Sequence, residues 1–296
     1  MTWPFDPDES FVKPQRSVEL ERERLGLSPE EFALPATMVA TFQAAAYRRM
    51  LERAGAVGSG NASLGPDSPV AAHAAPPMPP GRGAERPHPT GIALRGESAT
   101  GVVGGTPVRI ACMSVGAPAA ALTLEGAIAR GVRNVLVVGS AGSLQRHIPL
   151  GTTVIVESAE REDGTSHHYL PAGDAVWPDP ELTALLEAAA RARGSSPIRG
   201  RSWTIDAPYR ETAGAIRRHR EAGVAVVEME AAAIFAVARV RGIRAALLIA
   251  VSDTLFDEWL PAFHHPTYVA ALTRAADTAM DVAATLARST TAQPRA

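Results

Sequence analysis

From residue 101 to 288, short apolar runs of strand character alternate with longer segments of helical periodicity, and this alternation constrains the fold more than any other feature. The clearest run, Asn134-Val135-Leu136-Val137-Val138, is continuously apolar, as expected of a strand buried on both faces. Residues 101–113 read as two β-rich runs about a Gly104-Gly105 turn, and 119–130 as an Ala/Leu helix ended by Gly131. Strands are predicted at 152–158, 198–204, 224–227 and 245–251, and helices at 182–193, 212–220 and 231–239. An amphipathic helix over 267–288 covers the sheet. Strands alternating with helices build parallel βαβ units, so the fold class is α/β with three αβα layers, and ligands of such sheets bind beyond the carboxyl ends of the strands.

Upstream, residues 37–54 read as a strand and then a helix, 44–53, that carries Arg48 and Arg49. Residues 1–35 mix Pro, charge and short apolar pieces around a short helix at 18–25, as an N-terminal arm of the kind that lies on a neighbouring subunit. Between about 55 and 91 the composition turns to Pro, Gly, Ala and Ser without apolar periodicity, which predicts a flexible insertion in a single α/β domain spanning 36–290, followed by a tail at 291–296. The net charge of −2 offers no electrostatic footprint for nucleic acid or a membrane surface. One cysteine, Cys112, excludes an internal disulfide or a cysteine-cluster metal site and reads as a packed core thiol. The acidic start lacks a signal-peptide pattern and no apolar run approaches about 18 residues, so a cytoplasmic protein is expected.

Three strand ends carry unusual residues and fall on one rim. Val226-Val227-Glu228-Met229-Glu230-Ala231 drops two carboxylates into an apolar run, where they call for hydroxyl groups or a developing cation; one of them capping the following helix is the alternative. Gly139-Ser140-Ala141-Gly142 is a small-residue turn suited to a backbone anion nest, or simply a tight turn. Ser252-Asp253-Thr254 puts a partly buried acid after an apolar strand, fit to donate a proton or to serve as a turn residue. Two loops join them: 161–169, with Arg161, His167, His168 and Tyr169, and 204–212, with Asp206, Tyr209 and Arg210, where Asp206 or Thr212 also fits as a helix cap. The paired His lacks metal-motif spacing, so no metal is expected.

Gly116-Ala117-Pro118, Val138 to Ser143, Asp163-Gly164-Thr165-Ser166, Asp206-Ala207-Pro208-Tyr209, Glu228-Met229-Glu230-Ala231-Ala232 and Ser252-Asp253 stand in the order in which the purine nucleoside and uridine phosphorylase superfamily carries similar motifs. The chain resembles that superfamily from about 101 to 284. The resemblance implies a central mixed, mostly parallel sheet that curls into a distorted barrel, and assembly as a dimer or a hexamer built from dimers. It implies Glu230 on the ribose hydroxyls with Met229 against the sugar face, Glu228 beside it and His167 in the ribose set. Gly139, Ser140 and Gly116 would take phosphate, and Ser252, Asp253, Asp206, Tyr209 and Arg210 would take the base. Glu230 and Asp253 would be the catalytic pair. Asp253 matches the acid of the purine branch, whereas the two loops are more like those of the uridine branch, so the base stays open.

The implied activity is phosphorolysis of a nucleoside to free base and ribose 1-phosphate, with phosphate as co-substrate and no cofactor. One departure bears on the nucleophile. Val137 stands where the family has an arginine for phosphate, and 40–44 lacks the family's second, in a Gly-rich loop. An uncompensated phosphate dianion is costly, so another cation must serve, with Arg48, Arg49, Arg161 and Arg210 as choices, or water is the nucleophile, as in a nucleosidase. A nucleoside-binding protein without turnover is the third reading.

Overall fold

β4 (Asn134–Ser143) and β9 (Arg244–Leu255) run parallel from Asn134 opposite Arg244 to Ala141 opposite Val251, and this ladder is the spine of the molecule. The structure, a computed structural model, describes residues 5–56, 97–173 and 175–291. The insertion predicted at about 55–91 lies, beyond residue 56, outside the described residues. β5 (Thr153–Glu162) pairs antiparallel with β9 and parallel with β7 (Ile198–Ile205), β7 pairs with β8 (Val226–Glu228), and β8 returns antiparallel to the end of β4. The path β9–β5–β7–β8–β4–β9 therefore closes a five-stranded barrel. β1 (Thr37–Thr41), β3 (Thr106–Cys112) and β2 (Glu97–Val103) extend the sheet from β4, while β6 (Ala175–Val176) and β10 (Trp259–Pro261) add short edges on β5 and β9. The sheet is mixed, its two longest ladders parallel.

The continuous apolar runs explain the layering, because successive side chains point to opposite faces. Val39, Leu136, Val138 and Leu248 pack with α3 (Ala44–Arg53), α6 (Pro180–Ala192) and α9 (Pro266–Thr291). Met38, Val135, Val137 and Leu247 face α4 (Ala117–Ala129) and α8 (Ala231–Arg241) on the other side. A third small core around Trp203, Leu144 and Leu255 packs under α7 (Ala213–Glu221). In the arm, α1 (Pro14–Leu25) is longer than the helix predicted at 18–25 and buries none of its residues, and α2 (Pro29–Phe32) carries a Ser28/Glu31 capping box. Cys112 has its thiol pushed up to about 11 by burial, as a packed, unreactive group would.

Two strand ends differ from expectation. Gly139 to Ser143 is no turn: β4 continues through them, and its register slips between Ala141 and Gly142 where the barrel closes. The small residues serve close packing, since a Cβ at Gly142 would sit 2.9 Å from Asp253 Oδ2 and closer still to Leu255. A backbone nest needs curled φ/ψ values that an extended strand does not supply, so an anion nest at Gly139 is not formed. Likewise, Asp253 lies within β9, opposite Gly142, rather than in a turn after it.

Candidate active site

β8 is three residues long and ends where α8 begins, so Glu228, Met229 and Glu230 occupy the joint between barrel and helix. The two carboxylates divide the work. Glu228 is the cap: its Oε2 accepts from the N–H groups of Glu230 (2.7 Å) and Ala231 (2.6 Å), and its Oε1 from Thr204 Oγ1 (2.5 Å) on β7. Thr204 Oγ1 in turn accepts from Ala232 N at 3.0 Å. Glu230 leaves the helix and reaches across to α4, accepting from Gly116 N at 2.6 Å. Gly116 has φ of 107°, a conformation that L side chains rarely adopt, so glycine is required for its N–H to point at Glu230.

Both carboxylates are buried. Burial pushes Glu230 up to about 8, with the neighbouring Glu228 charge adding to it and the N–H of Gly116 opposing. Burial raises Glu228 as well, but Thr204 and two backbone N–H groups favour its ionised form. The Glu228 charge thus adds to the cost of ionising Glu230, and the two titrate as a pair.

The other strand ends converge on β9. Asp253, buried, accepts from Ser252 Oγ at Oδ1 (2.7 Å) and from Trp259 Nε1 at Oδ2 (2.9 Å), and burial raises its carboxyl while both donors pull it down. Ser140, half-buried on β4, shares a 2.5 Å hydrogen bond with the phenol of Tyr268 in the first turn of α9. Burial raises the Tyr268 phenol, the Ser140 hydrogen bond opposes that rise, and the Asp253 charge adds to it. Gly139 lies beside Ser140 in the β4–β9 ladder, opposite Ile249.

The loop over 161–169 turns inward on itself. Arg161 is buried and donates to Ser166 Oγ and to the carbonyls of Ser166, Leu170 and Pro171, so it braces the loop. His167 meets the Arg161 carbonyl through Nε2 at 3.1 Å. Asp163, fully buried, accepts from Ser166 N and Oγ. Asp206 accepts from Gly164 N at 2.7 Å and so tethers the two loops, while the capping of α7 falls to Thr212. Tyr209 and Arg210 stand exposed on the one-turn helix Pro208–Arg210, Tyr209 at 93%. Arg48 is exposed and Arg49 is held by Asp277 on α9.

The structure thus brings Gly116, Glu228 and Glu230 together, and Ser252, Asp253 and Ser140 through Tyr268. Tyr209 and Arg210 stay at the surface. Sequence reasoning missed Thr204, Tyr268 and Trp259; Thr204 and Tyr268 arrive from elements distant in the chain, and Trp259 from the short hairpin strand six residues after Asp253. Val137 is 1% exposed inside the apolar layer of α4 and α8. Among the described residues, no three His, Cys, Asp or Glu side chains gather as a metal site would, and no helix is long and apolar enough to cross a membrane. A cavity of about 980 Å³ opens elsewhere, between the arm and α4, α5 (Ser166–Tyr169) and α8, lined among others by Phe5, Leu20, Leu122, Tyr169 and Val240.

Known proteins share both sequence and fold with the chain. The uridine phosphorylase of Haemophilus influenzae is 28% identical over 165 residues, 51% of this chain and 66% of that protein. The guanosine phosphorylase of Halorubrum lacusprofundi is 32% identical over 151 residues, 51% of this chain and 63% of that protein. The chain therefore spans slightly less than two thirds of the length of these relatives. A crystal structure of purine nucleoside phosphorylase from Toxoplasma gondii superposes with a TM-score of 0.69 over 89% of this chain and 95% of that one, at 16% identity. That likeness shows the fold, including the mixed sheet rolled into a barrel. Residues 64–288, which carry the barrel, every helix of the two layers except α3 and every strand end of the rim, match the phosphorylase superfamily, and the chain belongs to that superfamily.

Proposed function

We propose that the protein is a nucleoside phosphorylase, cleaving an N-glycosidic bond with phosphate to give free base and ribose 1-phosphate. The observation that carries this reading is Glu230, a buried carboxylate freed from helix capping by Glu228 and aimed at Gly116 across the rim. Cleavage develops positive charge on the sugar ring, and a carboxylate in a low-dielectric site stabilises that charge more in the transition state than in the ground state. Glu230 and Met229 take the ribose, with Glu228 holding Glu230 in place and His167 closing the sugar side. Asp253, oriented by Ser252, hydrogen-bonds or protonates the leaving base, and Asp206, Tyr209 and Arg210 frame it. An acid suits a base with a ring-nitrogen acceptor, so a purine nucleoside is favoured. Phosphate enters at Ser140, with Gly139 and Gly116 lining its approach and the Gly116 N–H kept for Glu230.

No metal or cofactor takes part. Residues 36–290 act as one domain and the protein works in the cytoplasm as a homo-oligomer, a dimer or a hexamer built from dimers. What supports assembly is α1: a 12-residue helix with no buried residue is marginal alone, and the arm exposes Phe11, Val12, Leu20 and Leu25. Sedimentation of the purified protein checks it; a monomer at micromolar concentration refutes it.

The neutral Ser140–Tyr268 pair and the buried Val137 favour water as a second choice of nucleophile. One assay separates the readings: the protein is incubated with inosine, guanosine and uridine, with and without phosphate. Phosphate-dependent base release with ribose 1-phosphate is expected. Release of ribose without phosphate would make the protein a nucleosidase, and no release from any nucleoside would refute catalysis.

A further inference from the structure

Trp259 is 54% exposed, yet its indole N–H turns inward to Asp253 Oδ2 at 2.9 Å. All three residues of β10 are exposed, and the strand forms the edge of the sheet, where an exposed aromatic is a liability unless it has a task. The hairpin that carries it is fixed at its feet. Arg220 donates to the carbonyls of Leu255 and Phe256, Ala262 N donates to Ser252 O at 3.1 Å, and Arg146 pairs with Asp257 at 2.5 Å. The indole is thereby presented to the carboxylate rather than left to wander.

Both oxygens of Asp253 are engaged, and the two bonds differ in kind. Ser252 precedes Asp253 in the chain, so its bond to Oδ1 travels with the carboxylate. The bond to Oδ2 comes from a different strand and can be exchanged. Gly142 faces the same oxygen with no side chain; a Cβ there would lie 2.9 Å from Oδ2. Leu255 packs into the same corner, so Oδ2 is the oxygen held by close packing and by a replaceable donor.

We propose that Trp259 is a positioning residue for the proton donor: its N–H holds Oδ2 of Asp253, then yields that oxygen to the ring nitrogen of a purine, and the indole edge flanks the base. This deepens the role proposed for Asp253 and rests on it. Besides Ser252 and Trp259, the groups facing Asp253 are Glu211, from the loop after β7, and Tyr268, from α9. Glu211 is pushed up to about 7 by burial and by the Asp253 charge. Losing the Trp259 N–H removes a bond that favours the carboxylate, so the carboxyl rises further. A proton donor works below its own pKa, hence the alkaline limb of kcat/KM moves to higher pH.

The test is Trp259→Phe, which keeps a ring and removes the donor. Expected is a fall in kcat/KM on the order of tenfold at neutral pH, with the alkaline limb displaced upward. Trp259→His, assayed above about pH 8 where imidazole is neutral but keeps an N–H, should recover part of both. An unmoved limb, with Asp253→Asn inactive, would overturn the proposal and leave the proposed reaction standing. A second readout needs no turnover: subtracting Trp259→Phe emission from wild type removes the other three tryptophans. The remaining signal should change on adding hypoxanthine with phosphate, and its pH dependence should vanish in Asp253→Asn. If wild type cleaves no nucleoside, the proposed reaction falls, and this signal alone decides: a response abolished by Asp253→Asn supports the Trp259–Asp253 exchange, and no response refutes it.

Discussion

At the Glu228–Glu230 end of the rim, two carboxylates lie buried among backbone N–H groups and a threonine hydroxyl, whereas at the Ser140 end a hydroxyl and a phenol share one hydrogen bond beside the buried Val137. The first end stores charge that folding alone would not select. The second stores none. Desolvated charge survives only where fixed donors surround it, and the β8–α8 joint and the start of α4 supply such donors without depending on any one side chain. For an anionic nucleophile the other end offers the neutral hydroxyls of Ser140 and Tyr268, so its anion affinity would rest on dipoles. In the proposed reaction the sugar meets built-in charge and the nucleophile a polar, uncharged wall.

The largest effect expected from breaking this contrast is at Glu230. Glu230→Gln keeps the shape and removes the charge, and kcat/KM for the preferred nucleoside should fall by about 10² to 10³. Stability should move the other way. The Glu230 carboxyl is raised from 4.5 to about 8, so its ionised form is disfavoured in the folded state. The wild type therefore loses stability as pH rises from about 4.5 to about 8, and the amide variant escapes that loss. Thermal melts should coincide below pH 4.5 and separate towards pH 8, Glu230→Gln melting higher. Melts that stay superimposed would mean that the charge is not buried as described.

Val137→Arg sharpens the comparison from the opposite end by restoring the family's arginine. Because Val137 faces the apolar layer of α4 and α8, a guanidinium there would be buried with no carboxylate prepared for it. The expected result is a loss of about 3 kcal/mol in denaturant unfolding with no gain in phosphate affinity. A variant that folds normally and binds phosphate more tightly would show that the wall accepts charge.

How much of this was legible in the sequence follows the same division. The layers and most helices were readable because their signal is local: the run from Asn134 to Val138 could only be a doubly buried strand, and Gly131 and Gly242 mark helix ends. The two carboxylates were visible as misfits, but not their division into cap and reach, which depends on Thr204 and Gly116 arriving from other elements. Gly139 to Ser143 misled, since glycines signal turns locally while here they admit Leu255 and Asp253 across a closed barrel. Closure is a long-range pairing of β4 with β9 and β8, and no window of sequence contains it. Tyr268 was hidden for that reason too, whereas Trp259 sits on a hairpin strand of three residues, too short to leave a periodic signal.

The smallest effect belongs to Tyr268→Phe, and it is the finest probe of the uncharged wall. The phenol holds Ser140 Oγ at 2.5 Å, and without it the hydroxyl is free to turn. A single neutral hydrogen bond of this kind is worth about 1 kcal/mol, so the KM for phosphate should rise by less than about tenfold while the KM for the nucleoside stays put. That split is the decisive feature. An equal rise in both constants would make Tyr268 a packing residue of α9, and a change confined to the nucleoside would move the phosphate site away from Ser140. A rise in the phosphate constant alone would place the nucleophile where β4 and Tyr268 meet, at an end of the rim that recognises an anion without carrying a cation.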